Sequence, residues 1–342
     1  MKQRWGLIGF GRFGQLHAGS IERIASIELA AIATRGEASA AAARTAHPNA
    51  AVTTDWMALL DDPALDVVDI VAPNHLHADM AIRALEAGKN VLVEKPLATS
   101  IEDCDRLVET VDRTGRLLSV GLELRLSIQW GRIKQLIDIG RIGHPRQVHV
   151  SLFRHPYRDG AGGWRQKSGE VGSWILEEPV HFYDLVMWYL AALGDPVSVA
   201  AYGTAAVAPG MFDNFTSTLR FADGGLAVIT QSLAGFGHHL VVEISGTSGA
   251  IRATWSAGDA GSETPSFGLF VGPIGMTPPE HLALAGQSGE VFELEEQMRQ
   301  ISEAFASGQV LVDVREGRKA ALLCLEAERA VRENREIDLD FS

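Results

Sequence analysis

Three glycines near the N-terminus have the spacing of a phosphate-binding loop. Gly9, Gly11 and Gly14 form the pattern G-x-G-x-x-G, which here follows an apolar strand-like segment and precedes a helical one, the context that gives it meaning. The first glycine allows a tight turn, the second lets backbone N–H groups approach a pyrophosphate, and the third lets the helix pack on the sheet. The helix N-terminus adds donors and a partial positive charge. The sequence therefore predicts a dinucleotide site; a plain strand-to-helix turn is the alternative.

The end of the second predicted strand indicates which nicotinamide cofactor is bound. An enzyme that uses NAD usually places Asp or Glu there, to accept hydrogen bonds from the ribose hydroxyls. This chain has Thr34, Arg35 and Gly36 instead. No carboxylate is present to repel a 2′-phosphate, and the Arg35 guanidinium suits pairing with that phosphate. We therefore favour NADP over NAD; if Arg35 is only a solvated loop residue, the site takes either cofactor.

The chain also carries a set of motifs that occur together in one family. They are Gly9–Gly14, Ala72–His77, Glu94–Pro96, Gly140–Gly143 and Ser245–Gly249. With these motifs the chain resembles the Gfo/Idh/MocA family of sugar and polyol dehydrogenases over nearly its whole length, more specifically in the first part than in the second. The resemblance implies an oxidoreductase that transfers a hydride between NAD(P) and a secondary alcohol or ketone of a sugar, polyol or sugar derivative.

The resemblance also implies which side chains react. In that family the lysine of the Glu-Lys-Pro motif, here Lys95, lies where cofactor and substrate meet. The family's later Asp-x-x-x-His motif corresponds to Glu177 and His181 in this chain. Pro179 stands where the family often has glycine. Glutamate is one methylene longer than aspartate, and proline fixes φ where glycine does not.

His181 is a candidate general base. Oxidising a secondary alcohol moves a hydride to the nicotinamide and a proton to a base, and an unperturbed histidine has a pKa of about 6.5. Pro179 suits the first turn of a helix, where the helix N-terminus would favour a neutral imidazole, whereas Glu177 would favour the charged form. Asp184, one turn further on, either orients the imidazole or faces solvent.

Lys95 has two candidate roles. It follows a buried strand and precedes Pro96, so its position is well defined. We expect it to donate a hydrogen bond to the reacting oxygen and to stabilise alkoxide character. If burial and the positive nicotinamide lower its pKa, Lys95 acts as the base instead.

Further side chains are candidates for binding substrate or cofactor. Trp164, Arg165 and Lys167 lie in a loop before the His181 segment, and sugar sites often gather aromatic faces and polar donors. Arg125, after the fifth strand, either reaches the substrate or forms a salt bridge. The residues assigned to the cofactor are Gly9, Phe10, Gly11, Arg12, Phe13, Gly14, Thr34, Arg35, Ala72, Pro73, Asn74, His77, Glu94 and Lys95. Although Glu177, Glu178, His181 and His155 are metal-ligand types, they lack a tight motif such as H-E-x-x-H, and we predict no metal.

The elements that must position these residues fall into two groups. Up to residue 120, short apolar strands alternate with helices, which predicts a doubly wound parallel sheet, the Rossmann fold. The predicted strands are 5–8, 27–33, 67–71, 91–93 and 117–120, and the helices are 13–24, 38–46, 75–87 with Asn74 as its cap, and 101–114 with a Ser100 capping box.

After Gly121 the pattern changes to an α+β domain with a large, mainly antiparallel sheet. The predicted elements are a helix at 128–138, a strand at 146–154, a helix at 180–190, strands between 197 and 255, a loop at 256–289, and helices at 294–306 and 314–334. We therefore predict a cofactor domain over residues 1–120 and a substrate domain over 121–342, with the C-terminal helix packing back toward the first.

Composition excludes several classes of partner. The net charge of −13 over 342 residues, with no basic run, argues against nucleic acid. No stretch of about 20 apolar residues predicts a membrane span, and glycines interrupt the N-terminal apolar stretch where a signal peptide needs continuity. Two lone cysteines fit a reduced cytoplasm. We expect a homodimer or homotetramer formed through the broad sheet.

Two other functions remain to be compared with a dehydrogenase. One is a cofactor-binding regulator without chemistry, which the presence of both Lys95 and His181 argues against. The other is an NAD-assisted glycoside hydrolase on the same fold, which would need a further His- and Gly-rich loop that we do not find.

Overall fold

The chain forms two compact units in a computed structural model that describes residues 2–206, 208, 210–258 and 264–341. The first unit comprises Met1–Leu122, Ala161–Gly172 and Leu294–Ala321. The second comprises Glu123–Gly160, Ser173–Glu293 and Leu322–Ser342. The sequence analysis placed one boundary near residue 120, whereas the first unit also includes two later segments. Such returns of the chain depend on long-range packing, which local patterns do not encode.

The first unit is built on a six-stranded parallel sheet. Its main elements are β1 (Gln3–Ile8), α1 (Arg12–Arg23), β2 (Ile27–Ala33), α2 (Glu37–Ala46), β3 (Ala51–Thr53), α3 (Met57–Leu60), β4 (Val67–Ile70), α4 (His77–Glu86), β5 (Asn90–Glu94), α5 (Ile101–Thr114) and β6 (Leu118–Gly121). The strand order is β3-β2-β1-β4-β5-β6, and every neighbouring pair is parallel. This is the order of a Rossmann sheet, and it confirms the predicted architecture.

Local signals in the sequence account for several of these elements. The strands are apolar runs because both faces of a doubly wound sheet are covered; all four residues of β4 are buried. The Ser100 side chain accepts the Asp103 N–H at 3.2 Å, as the capping-box prediction requires, and Gly115 ends α5 with a φ of +63°. The core of this unit includes Trp5 and Leu7 from β1.

Three local predictions in this unit were wrong. The short strand β3 and the four-residue helix α3 were missed, because elements of three or four residues give no periodic signal. Asn74 was expected to cap a helix starting at His75, but it begins a 3₁₀ turn, Asn74–Leu76, and α4 follows from His77. The Asn74 side chain donates to the Val171 carbonyl at 3.0 Å, a long-range bond that competes with capping.

The remaining elements are helical first and then mostly strands. In chain order they are α6 (Trp130–Asp138), β7 (Pro145–Arg154), α7 (Ser168–Val171), α8 (Trp174–Glu177), α9 (Pro179–Tyr189), β8 (Pro196–Thr204), β9 (Asn214–Phe221), β10 (Leu226–Ser232), β11 (His238–Gly246), β12 (Gly249–Ala257), β13 (Ser266–Pro273), β14 (Glu280–Leu282), α10 (Glu290–Ala306), α11 (Val314–Glu333) and β15 (Ile337–Asp338). Three short 3₁₀ turns, Glu123–Leu126, Trp164–Gln166 and Ala191–Leu193, accompany them.

The second unit contains a nine-stranded sheet in the order β14-β13-β12-β11-β7-β10-β9-β8-β15. Only the β7–β10 pair is parallel, so the sheet is mainly antiparallel as predicted. The expected loop over 256–289 was wrong where β13 and β14 lie; residues 259–263 fall outside the described residues. The glycines and serines of this segment suggested a loop, but Leu269 and Val271 are buried, and β13 pairs with β12 over the whole length of β13.

Two further properties concern the chain as a whole. Cys104 and Cys324 are both buried and carry free thiols. Across the described ranges, no helix combines the length and the apolar character that crossing a membrane requires.

Candidate functional site

The glycine loop has the geometry that its three glycines predict. Gly9 has a φ of +105°, and a Cβ there would lie 2.0 Å from the Val71 carbonyl oxygen. A Cβ at Gly14 would lie 2.2 Å from the Gly9 oxygen, so the close packing of α1 excludes a side chain. Around Gly11, by contrast, no atom lies within 4 Å of an added Cβ. Gly11 precedes the first residue of α1, and the space beside it is open at the helix N-terminus.

The other loop residues assigned to the cofactor have different environments. The Phe10 side chain is buried in the core, edge-on to the His47 ring at 5.5 Å. Phe13 packs against the His17 ring, and Arg12 is exposed. Contact of Phe10 with a cofactor is thus restricted to its backbone.

The residues after β2 lie beside the later segment of the first unit. Thr34 is buried, and its hydroxyl donates to the Gly36 carbonyl at 3.1 Å. Arg35 is exposed, and its guanidinium is so close to Gly162 that a Cβ there would lie 3.2 Å from Nη1. The cationic group is therefore at the carboxyl end of β2, where the sequence analysis required it.

The loop residues assigned to the substrate belong to that same segment of the first unit. Trp164 is buried, with the Arg165 guanidinium 4.5 Å from its ring centroid, and Lys167 donates to Glu170 at 2.9 Å. The segment is held to the turn after β4 by two bonds, Asn74 Nδ2 to the Val171 carbonyl at 3.0 Å and His75 Nδ1 to the Glu170 carbonyl at 3.1 Å. The segment therefore packs at the carboxyl end of the sheet, where the residues assigned to the cofactor lie.

The Lys95 turn is held by buried side chains. Lys95 is half-buried, directly after β5, and its peptide bond to Pro96 is cis. The buried His77 ring joins this turn to the end of β4, with Nδ1 2.7 Å from the Pro96 oxygen and Nε2 2.8 Å from the Ala72 oxygen. Within this unit, the motif residues at the ends of β4 and β5 are thus brought together.

A buried histidine lies between two carboxylates next to this turn. His17 of α1 is fully buried, with Nδ1 2.8 Å from Asp69 Oδ2 and Nε2 3.3 Å from Glu94 Oε1. Burial alone would lower the pKa of His17, but the charges and hydrogen bonds of Asp69 and Glu94 outweigh burial and raise it to about 10. We call these three residues the His17 cluster; the sequence analysis missed His17 and Asp69.

In the second unit, the His181 segment has the predicted local structure. Pro179 is the first residue of α9, so His181 lies in the first turn of that helix. His181 and Glu177 are both buried. A carboxylate that the sequence analysis missed, Glu123, places Oε1 3.6 Å from His181 Nε2, and neither side chain is exposed. A carboxylate within the apolar run Val120-Gly-Leu-Glu-Leu124 was the available signal.

Arg125 and Asp184, for which the sequence left alternatives open, pair with each other. Arg125 Nε donates to Asp184 Oδ2 at 2.8 Å and Nη2 donates to Oδ1 at 2.5 Å. The Asp184 side chain is 3% exposed, so the solvent-facing alternative was wrong. The bidentate pair fixes both groups in geometry that favours a structural role.

A second buried ionic group lies at the start of α9. The Glu178 carboxylate contacts Arg154 Nη1 of β7 and lies 2.8 Å from His238 Nε2 of β11. Burial alone would raise the pKa of Glu178, but the charges of Arg154 and His238 outweigh burial and hold that pKa well below its usual range. We call these three residues the Glu178 cluster. Among the described residues, no group of three or more His, Cys, Asp or Glu side chains is arranged to hold a metal ion.

Comparison with known families and proteins shows which ones this chain resembles. Residues 3–122 match the model of an oxidoreductase family with an NAD-binding Rossmann fold, and residues 130–252 match the Gfo/Idh/MocA C-terminal domain. An inositol 2-dehydrogenase of Rhizobium meliloti (strain 1021) is 31% identical over 261 residues, covering 74% of this chain and 76% of the relative. The scyllo-inositol 2-dehydrogenase (NAD(+)) of Bacillus subtilis (strain 168) is 28% identical over 257 residues, covering 72% of each.

A solved structure extends the similarity of the fold to the full length. Levoglucosan dehydrogenase, in complex with NADH and levoglucosan, superposes with a TM-score of 0.85 over 100% of both chains at 22% identity. At that identity the match concerns the fold alone.

Proposed function

This chain belongs to the Gfo/Idh/MocA oxidoreductase family, and we propose that it transfers a hydride between a nicotinamide cofactor and a secondary alcohol or ketone of a polyol or sugar. The family match confirms the predicted class of enzyme. The first unit carries the NAD-binding Rossmann fold, and we assign substrate binding to the second. The inositol dehydrogenases among its relatives make a cyclic polyol the first substrate to test.

One observation carries the proposal: the residues assigned to the cofactor follow the carboxyl ends of four neighbouring strands. The glycine loop follows β1, Thr34 and Arg35 follow β2, Ala72 to Asn74 follow β4, and Lys95 follows β5. Ligands of doubly wound sheets bind outside these ends, at the point between β1 and β4 where the strand order reverses. Lys95, at the carboxyl end of β5, is therefore well placed to act on a group that reacts with the cofactor.

The chemistry assigned to the chain's own residues is proton handling and orientation. The bound nicotinamide supplies the hydride acceptor or donor. Lys95 donates a hydrogen bond to the reacting oxygen and so stabilises the alkoxide character that develops there. His181 takes the hydroxyl proton, and the Glu123 carboxylate 3.6 Å away favours the imidazolium that results. Glu177 binds a substrate hydroxyl.

The test is turnover on a panel of polyols and sugars, followed by absorbance of the reduced cofactor. Oxidation of inositols or aldoses by the wild type, with loss of that activity in Lys95→Ala, supports the proposal. Cofactor binding without turnover on any member supports a regulator instead. Hydrolysis of a glycoside that requires catalytic NAD supports the hydrolase alternative.

For the cofactor, we propose a preference for NADP(H) over NAD(H), supported by the exposed Arg35 and by Thr34 and Gly36 in place of a carboxylate. Losing one charge-assisted contact to a phosphate costs about 1.5–3 kcal/mol, so Arg35→Ala should weaken NADP binding by roughly 10–150-fold. NAD binding should change little, because NAD has no 2′-phosphate. Tighter binding of NAD than of NADP by the wild type in calorimetric titration contradicts the preference.

For assembly and location, we propose a homodimer or homotetramer in the cytoplasm. Along β11, Leu240 and Val242 are buried on one face while Val241 and Glu243 are half-buried on the other, and a second copy can cover such a face. Light scattering that reports a monomer at micromolar concentration contradicts the assembly. The buried free thiols fit a reducing compartment, which cell fractionation tests.

A further inference from the structure

We propose that His17 is a positioning residue for Lys95: it holds the Glu94 carboxylate in the orientation in which Glu94 accepts the Lys95 backbone N–H. The inference rests on the proposed function, because it gives Lys95 a role in turnover. It assigns a task to a side chain that lies on the helix after the glycine loop and that the reaction itself does not use.

The first step is the geometry of His17. Its imidazole leaves α1 toward the sheet and meets one carboxylate on each side, Asp69 in β4 at 2.8 Å and Glu94 at the end of β5 at 3.3 Å. The side chains of His17 and Asp69 are 0% exposed. Because both ring nitrogens of His17 face carboxylates, Asp69 and Glu94, we expect any effect of His17 on turnover to pass through these two neighbours.

The second step is the link from Glu94 to Lys95. The oxygen of Glu94 that does not face His17, Oε2, accepts the Lys95 N–H at 3.2 Å. The oxygen that faces His17, Oε1, is also confined by Gly121 of β6, where an added Cβ would lie 2.6 Å from it. The carboxylate is thus oriented by His17, bounded by Gly121, and bonded to the residue that carries the reacting ammonium.

The third step is that few side chains can replace the imidazole. Protonated histidine has an N–H on each of two well-separated ring nitrogens, so His17 hydrogen-bonds Asp69 through Nδ1 and makes an ion-pair contact with Glu94 through Nε2. The raised pKa of His17 is consistent with that protonated form. Glutamine at this position is neutral and carries both of its N–H donors on one nitrogen, so it cannot form the ion pairs that hold the two carboxylates. A small displacement of Glu94 then moves Lys95, and misplacement by about 1 Å can cost 10²-fold in rate.

The principal experiment compares His17→Gln with His47→Gln. His47 is also a buried histidine of the first unit beside a carboxylate, Glu22 at 2.8 Å, but that pair does not contact Glu94. We expect His17→Gln to lower kcat by roughly 10–100-fold, with the KM for the polyol and the cofactor Kd from nucleotide fluorescence within about twofold of wild type. His47→Gln should keep the kcat of wild type.

A second variant perturbs Glu94 without changing His17. Gly121→Ala places a methyl group against Glu94 Oε1, and it should reduce kcat with the same unchanged KM. The double variant His17→Gln/Gly121→Ala should lose less than the product of the single losses, because both act through one carboxylate. Gly121→Ala also keeps the proposal testable if His17→Gln does not fold.

The outcomes separate this inference from the proposed function. If Lys95→Ala abolishes turnover while His17→Gln and Gly121→Ala have wild-type kcat, the positioning role is wrong and the function stands. If His17→Gln loses cofactor affinity and kcat in parallel, or if His47→Gln loses as much, the role of His17 is structural. If Lys95→Ala itself retains wild-type turnover, the role proposed for Lys95 has failed, and with it the premise of this inference, while dehydrogenase activity stands.

Discussion

The two buried ionic clusters are opposite in composition. In the His17 cluster one base lies between two carboxylates, Asp69 and Glu94, whereas in the Glu178 cluster one carboxylate lies between two bases, Arg154 and His238. Each is next to a side chain proposed to react: Glu94 directly precedes Lys95, and Glu178 lies three residues before His181. In each unit, a buried charged cluster thus lies close in sequence to a residue that we propose to react.

Because the two clusters are opposite in composition, we expect their central groups to affect stability in opposite ways as pH changes. A group whose pKa is raised on folding stabilises the fold below its unfolded pKa and loses that effect as pH rises through the folded value. His17 belongs to this class. A carboxyl whose pKa is lowered, as in Glu178, stabilises the fold above its unfolded pKa and loses that effect as pH falls. The His17 cluster is thus sensitive to alkali and the Glu178 cluster to acid.

The largest expected effect comes from removing the reacting residues that the clusters adjoin. Lys95→Ala should lower turnover by about 10²–10³-fold, as for loss of a preorganised donor at a developing alkoxide. His181→Ala should lower it by roughly 10²–10⁴-fold if the imidazole is the base, with partial recovery at high pH, where hydroxide can replace the base. Steady-state kinetics with cofactor binding as the reference measures both.

The double variant decides whether the two residues share one task. If both act on one oxygen, Lys95→Ala/His181→Ala should lose less than the product of the single losses. Losses that multiply would mean independent roles. Near-normal turnover in both single variants would contradict the assignment of Lys95 and His181, and neither cluster would then adjoin a reacting residue.

The next largest effect should come from Arg154→Met, which leaves Glu178 buried with one base fewer. Breaking a buried ion pair costs about 3–5 kcal/mol, and we expect the lower end, because His238 remains beside the carboxylate. The matched control is Arg252→Met in β12 of the same sheet, whose pair with Glu243 is exposed and should contribute less than about 1 kcal/mol. Urea unfolding measures both; equal losses would show that burial of the Glu178 cluster has no energetic weight.

The last expected effect is a change in the slope of stability with pH. The contribution of His17 is fully present below about pH 6.5 and declines as pH rises, until it is lost above the folded pKa of about 10. Unfolding free energies of the wild type should therefore fall more steeply between pH 7 and pH 10 than those of His17→Gln. Parallel curves for the two proteins would show that His17 is not protonated in the folded state.

The sequence predicts the features that depend on neighbouring residues better than those that depend on packing between distant segments. The glycine loop, the Ser100 cap and most strands of the first sheet were predicted because glycine spacing, capping and apolar runs act over a few residues. Pro179 at the first turn of α9 was predicted for the same reason.

The rest depends on packing between distant segments. Glu123 and His181 are neighbours in space but 58 residues apart, and no local pattern pairs them. Trp164 and Arg165 looked like part of the substrate domain, because their segment follows β7 and precedes α9 in the sequence. The return of residues 161–172 to the first unit is fixed by bonds such as Asn74 to the Val171 carbonyl. The sequence identified Lys95 and His181 as candidates, but it did not identify Glu123 or His17.

The unequal space around the three glycines has a consequence for how this loop changes in divergent copies of the protein. Gly9 and Gly14 leave no room for a methyl group whether or not a nucleotide is bound, so selection for folding alone retains them. Gly11 has open space, so folding alone does not require a glycine there. In a lineage that abandons the cofactor, the middle glycine should therefore be replaced first, while its two neighbours persist as a record of the ancestral fold.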